Sequence, residues 1–215
     1  MRGVGETLIT IGLVLLLFVV YELWVTDLFN HRTQAKLHGA LEKQWEKPKS
    51  AASLDKVAIG QGLAVLRIPR LGRHYDPVVV EGVGTAALEK GPGHYPGSAL
   101  PGQLGNFVVS GHRTTYGKPF SDLDKMRVGD AIVVETRDTW FTYSVTSTEI
   151  VSPSEVNVIL PVPGQPNAKP TKKLLTFTTC NPRFSASQRL VVHGQLTATL
   201  AKSKGLPEAL TGQVG

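Results

Sequence analysis

One cysteine in 215 residues is the scarcest chemical feature of this chain. A single thiol rules out an internal disulfide, and without cysteine and histidine pairs at zinc-binding spacing it rules out a small zinc fold too. Concentrated charge is also missing: the net charge is +6, but the 23 Lys and Arg are spread along the chain rather than gathered in a run. No aromatic cluster of the ribonucleoprotein kind accompanies them, so nucleic-acid binding is set aside. An anionic wall or membrane surface remains compatible with that charge. Apolar residues make up 41% of the chain, enough at this length for one core and one folded domain.

What is abundant lies first at the N-terminus. TLITIGLVLLLFVVY runs from Thr7 to Tyr21 without a charge, and LWV continues past Glu22 to Val25. A bilayer core needs about 20 apolar residues, so this run spans a membrane if Glu22 sits near the headgroups. It ends in YELW rather than in the small residues of a cleavage site, which favours an uncleaved anchor over residues 1–25. Arg2 gives little orientation signal beside Glu6; the polar remainder of the chain is most simply placed outside. Residues 26–61 are rich in helix formers up to Pro48 and then in Ala and Ser, the pattern of a helical stalk and a spacer. Within the stalk, Leu41 and Trp45 are four apart and form either a small apolar face or stray apolar positions on a solvated helix.

From Gly62 the texture changes to short runs rich in Val, Ile, Thr and aromatics, separated by Gly, Pro and Asn: LAVLRIPRL, DPVVVEG, GNFVVSGHR, DAIVVETRDTWFTYSV, KLLTFTTC and QRLVVHGQL. This is an all-β pattern, a barrel or a sandwich. ETRDTWFTYSV reads as a hairpin turning near Arg137 and Asp138. Short helices are expected near Thr85 and Ser121, each as a cap. The long stretch from Ser152 to Pro170 carries five prolines and reads as a functional or mobile loop. The tail 201–215, AKSKGLPEALTGQVG, reads as polar and disordered.

Cys180 stands at the end of the run KLLTFTTC, either as a buried small hydrophobe or as a nucleophile. A catalytic thiol needs a base or cation to favour thiolate, and donors for the oxyanion formed at an attacked carbonyl. His31 and His38 lie in the stalk and His74 in a turn; His94 sits in a Gly/Pro loop where it could touch substrate, and His193 is a packed or edge residue. His112 differs, because it stands where the apolar strand FVVSG gives out, a place where scaffolds display reactive groups. Arg189 begins the strand after Cys180, and a hairpin would bring the two close. Arg183 and Arg113 compete for that role, although Arg113 would alternate away from His112.

These motifs together resemble the sortase family. TFTTC, residues 176–180, is similar to its TLxTC strand end; VVSGHR is similar to its histidine segment, and RLVVHG to its arginine strand, in the order His112, Cys180, Arg189. The resemblance covers about residues 62–200. It implies a closed sortase-type β-barrel of about eight strands with a few short helices, catalysis by Cys180, His112 and Arg189, and substrate contacts at Tyr95, Thr179 and Ser110. HYPGSALPGQLGNFVVSGHR and TTCNPRFSASQR look like class E sortases of high-GC Gram-positive bacteria. In that class a tyrosine like Tyr95 is thought to favour a Leu-Ala-x-Thr-Gly sorting signal, unless it merely packs the loop. The implied activity is transpeptidation through a thioacyl intermediate. The implied partners are secreted proteins carrying a sorting signal and a peptidoglycan amine, with the enzyme a single-pass membrane protein whose catalytic domain is extracellular. No cofactor or metal is expected, since Asp122 and Asp124 are too few for a calcium site of six or more oxygens. A thiol hydrolase of the papain kind is disfavoured, because its cysteine precedes its histidine and opens a helix.

Overall fold

The computed structural model describes residues 2–47 and 57–212. Helix α1 spans Arg2–Glu46. The strands follow as β1 Gly62–Arg67, β2 Val78–Glu81, β3 Gly93–His94, β4 Gly105–Ser110, β5 Ala131–Glu135, β6 Thr139–Val151, β7 Lys173–Asn181 and β8 Gln188–Ala201. Helix α2, Thr85–Leu88, lies between β2 and β3, and helix α3, Glu208–Thr211, closes the described chain. Among the described residues the eight strands form one closed barrel in the order β1-β2-β3-β4-β7-β8-β6-β5. Closure leaves no long unpaired edge, which suits a sequence so rich in β-branched residues.

Alternation decides which side chains fill the barrel. Phe107 and Val109 of β4, Leu175 and Phe177 of β7, and Leu190 and Val192 of β8 point inward and join one core with Tyr143, Phe120 and Leu66. Their neighbours in sequence must then point outward. The outer face of these three strands therefore carries Asn106, Val108 and Ser110 beside Thr176, Thr178 and Cys180, with Arg189, Val191 and His193 on the far side. Strands β4 and β7 run parallel with Ser110 opposite Thr178, so both end at the same rim of the barrel.

Residues 152–172 connect β6 to β7 across this outer face. The segment contains a 3-10 turn at Val156–Ile159, and Asn106 clamps it by donating from Nδ2 to the Leu160 carbonyl at 3.0 Å. A cavity of about 930 Å³ remains beneath it, lined by Glu149, Lys169, Lys172 and His193 among others.

Three local expectations change. Thr85 opens α2 rather than capping it, since the N-cap is Gly84 with no side-chain bond. The turn after Ser121 is a short 3-10 helix, Leu123–Lys125, with Asp122 at the N-cap position and no side-chain cap bond. Disorder does not extend through the tail: residues 202–204 form a 3-10 turn, and Leu210 of α3 is 8% exposed against Val133 and Trp140. An apolar side chain spaced to reach a strand face overrides the polar composition around it. Replacing Leu210 with Ala is expected to lower barrel stability by about 2 kcal/mol in denaturant unfolding; an unchanged midpoint would mean that the tail contributes no packing.

Helix α1 runs without a break through both the expected anchor and the expected stalk. Among the described residues, no helix is long and apolar enough to cross a membrane. In the first half of α1 the apolar residues Leu8, Ile9, Ile11 and Leu13 through Val19 are exposed. The spacer at 48–56 lies outside the described residues.

Candidate active site

Cys180 is the penultimate residue of β7 and half-buried, and antiparallel pairing sets it directly across from Arg189. The guanidinium of Arg189 donates from Nη1 to the carbonyls of Ala186 at 3.0 Å and Gln188 at 2.9 Å, which folds it back over the β7–β8 turn. His112 stands two residues beyond the end of β4, on the same rim. Its ring tilts against Tyr116 with centroids 4.9 Å apart. Its Nε2 is buried without a hydrogen-bond partner. Burial lowers the His112 pKa, and the negative charge of Glu89 opposes that only in part, so the ring is biased towards its neutral form.

The ends of β4 and β7 are stitched together by side chains as well as by the ladder. Ser110 and Thr178 share a hydroxyl contact of 2.8 Å. The Gly111 N–H donates to the Thr178 carbonyl at 3.1 Å, and the Thr179 hydroxyl donates to the Gly111 carbonyl at 2.7 Å. Arg113 completes the stitch from the histidine side, donating through Nη1 to the Cys180 carbonyl at 3.3 Å and to Asn181 Oδ1 at 2.6 Å. Its Nη2 pairs with Asp124 at 3.1 Å, and its side chain is 4% exposed. The backbones that carry His112 and Cys180 are therefore held as one unit.

The sequence reading cast Arg113 only as a competitor pointing away from His112. It does point away, and that direction takes it under Cys180; no sequence signal beyond its adjacency to His112 marks it. Thr179, expected to contact substrate, is 2% exposed and uses its hydroxyl on Gly111, so it braces the histidine segment instead. Ser110 is half-buried and engaged with Thr178. Tyr95 is half-buried at the start of a turn, where its carbonyl accepts from the Ser98 N–H at 3.0 Å. His94 is not open to substrate: it is 2% exposed, with Nδ1 2.7 Å from Glu81 and Nε2 2.8 Å from the Ser98 hydroxyl. Arg183 pairs with Asp122 at 2.8 Å. Asp122, held below the usual carboxylate range first by Lys125 and then by Arg183, belongs to that ion-pair network. His193 bridges Glu149 at 2.9 Å and Thr176 at 2.9 Å beneath the 152–172 loop.

Known proteins resemble this chain in sequence and fold. The Sortase domain family matches residues 66–197. Sortase SrtE1 of Streptomyces coelicolor is 40% identical over 97% of this chain, and the chain spans 60% of that relative's length. Sortase SrtE2 of the same organism is 34% identical over 91% of the chain and 81% of its own length. Among solved structures, sortase E from Streptomyces avermitilis is 45% identical with a TM-score of 0.65, covering 71% of this chain and 99% of that one. Sortase E1 from Streptomyces coelicolor, solved with a tripeptide in its active site, is 39% identical with a TM-score of 0.66 over 72% of this chain and 99% of its own. With the barrel, the stitched strand ends and these similarities together, the chain belongs to the sortase family and groups with its class E members.

Proposed function

We propose that this protein is a membrane-anchored cysteine transpeptidase that cleaves a Leu-Ala-x-Thr-Gly sorting signal between Thr and Gly and joins the new end to a cell-wall amine. The observation that supports the reading is the stitch: it ties the segment leading to His112 to the end of β7 that carries Cys180, with Arg189 opposite Cys180 in the strand register. The tripeptide reported in the active site of the Streptomyces coelicolor relative suits a site that receives an extended peptide.

In the proposed reaction the His112 ring takes the Cys180 proton as sulfur attacks the threonine carbonyl. Arg189 stabilises the oxyanion of the tetrahedral intermediate. Collapse breaks the Thr–Gly bond as the imidazolium returns the proton to the departing glycine amine, leaving a thioester. An amine from a peptidoglycan stem peptide then attacks the thioester. Its proton passes to His112 and back to the sulfur, which restores the enzyme. Tyr95 is the proposed sensor of the second signal residue, with its flat apolar ring and its hydroxyl. The apolar first half of α1 is the proposed membrane anchor, with the barrel outside. Tethering to the membrane that holds substrate and lipid-linked acceptor raises their effective concentration.

The reading is tested on the full chain in detergent with Leu-Ala-x-Thr-Gly and Leu-Pro-x-Thr-Gly peptides and an amine acceptor, followed by mass spectrometry. The expected product is joined at Thr with Gly released; it is absent in Cys180→Ala, and the Ala preference weakens in Tyr95→Ala. Absence of both product and thioacyl adduct from folded protein would refute it. The activity should also follow pH in a bell. Burial lowers the His112 pKa, so the acidic limb of kcat/KM is expected below the ordinary histidine value of about 6.5; a limb at or above that value would contradict the assignment to His112. Arg113→Lys keeps the charge facing Asp124 but loses the planar fork that reaches both Cys180 and Asn181. Its kcat is expected to fall roughly tenfold to a hundredfold with KM nearly unchanged; an unaltered kcat would remove Arg113 from the positioning of the site.

A further inference from the structure

Helix α1 does not end where the apolar run ends. At 1.5 Å per residue its 45 residues extend about 68 Å, and its last four turns lie along the barrel wall. The contacts follow the helix in strict order. Asn30 donates to the Glu89 carbonyl at 3.3 Å. The Gln34 amide donates to the Lys90 carbonyl at 2.6 Å and accepts from the Val78 N–H at 2.8 Å, standing in for a strand between β2 and the segment before β3. His38 Nε2 contacts the Asp76 carbonyl at 2.8 Å. Leu41 is 2% exposed against Val65 and Val78, with Leu37 and Trp45 beside it. At the far end, Lys202 lies over the Trp45 ring at 4.4 Å, and Arg137 donates to the Lys47 carbonyl.

Two glycines of the barrel lie close against side chains of this helix. A Cβ at Gly117 would come within 2.1 Å of Asn30 Oδ1, and one at Gly91 within 2.4 Å of Gln34 Nε2. Gly117 adjoins Tyr116, the residue whose ring lies against His112. The N-terminal part of the docked segment thus meets the loop that follows His112. The C-terminal part meets Lys202, beyond the end of β8, which started at the Cys180 rim. The barrel lies along α1 with its catalytic rim towards the helix N-terminus and its opposite rim towards Trp45.

We infer that α1 fixes the barrel with the His112–Cys180 rim facing the lipid surface, so that the site takes peptide and amine partners held in the plane of the membrane. This rests on the proposed anchor at residues 1–25. Asn30 is five residues beyond that anchor, roughly 8 Å along the axis, whereas Trp45 is roughly 30 Å beyond it. Exposed apolar groups at this rim agree with a lipid-facing position: Phe184, in the loop after Cys180, is 90% exposed, and Ile150 is exposed near the end of β6. The docking contacts are a buried leucine, a bidentate amide and two close glycine approaches, and together they resist rotation of the barrel about the helix.

The test uses the full chain in phosphatidylglycerol nanodiscs, with Cys180→Ala and one new cysteine, Thr115→Cys near the catalytic rim or Lys204→Cys at the opposite one, each labelled with a fluorophore. A headgroup-attached quencher is expected to quench the label at 115 more strongly than the label at 204. Equal or reversed quenching would overturn the proposal, as would failure of the protein to remain with the nanodiscs. Releasing the helix with Gln34→Ala and Leu41→Ala should remove the quenching difference. In the otherwise native chain the same pair should lower transfer from a membrane-anchored substrate at least about tenfold, with a soluble peptide affected no more than about twofold. Equal transfer from both substrates would also overturn it. If the depth order holds but no Cys180-dependent transfer occurs with either substrate, the orientation stands and the functional reading fails.

Discussion

The parallel pairing of β4 with β7 is the constraint on which the site depends. Parallel neighbours end at the same rim, so two segments 68 residues apart in sequence, closing with Ser110 and Thr178, deliver their next residues side by side. Backbone pairing alone would leave the strand ends free to splay. The Thr179 hydroxyl on the Gly111 carbonyl and the Arg113 fork on the Cys180 carbonyl prevent that. The buried Arg113 cation is held there by Asp124 on Nη2 and Asn181 on Nη1, with its Nε left without a partner. Cys180 and His112 therefore stand on backbone that is tied together from both strands.

The alternation that builds the core also builds the outer face. Once Phe107, Leu175, Phe177 and Val192 face inward, Thr176, Thr178, Cys180, Arg189 and His193 have no alternative but the outside. The 152–172 connection then crosses that face and is held by Asn106 and Thr176, two buried polar residues that a barrel exterior would otherwise leave to solvent. The long loop is thus integrated into the wall beside the site. Its prolines suit a path that bonds to the sheet at only a few points.

Helix α1 adds a second constraint at right angles in effect to the first. The stitch sets the His112 and Cys180 segments relative to one another, and the helix sets the barrel relative to the segment that precedes it. Glu135 ties the barrel to the helix at the far rim, where it accepts from Arg67 of β1 at 3.1 Å and from Lys202 at 2.6 Å while Lys202 also covers Trp45. Asn30 approaches Gly117, the neighbour of Tyr116, so the helix borders the loop that follows His112.

Much of the architecture is determined by the amino-acid sequence alone, because it rests on local periodicity and on scarce residues. Short β-branched runs specify strands; the inward set in KLLTFTTC and QRLVVHGQL puts Cys180 and Arg189 on one face; and a lone cysteine between two motifs in the order of the sortase family points to the family and to a candidate site. The roles of Arg113, Thr179 and His94 were decided only by the tertiary structure. Each forms its decisive contacts with groups whose position depends on strand register or loop path, and for Arg113 and Thr179 these lie more than 60 residues away. The same holds for the tail and the stalk. Leu210 and Leu41 look like stray apolar residues in polar surroundings until the closed barrel presents Val133 and Trp140 to one and Val65 and Val78 to the other. Burial of a single side chain is a property of the surface it meets, and that surface exists only after the barrel has closed.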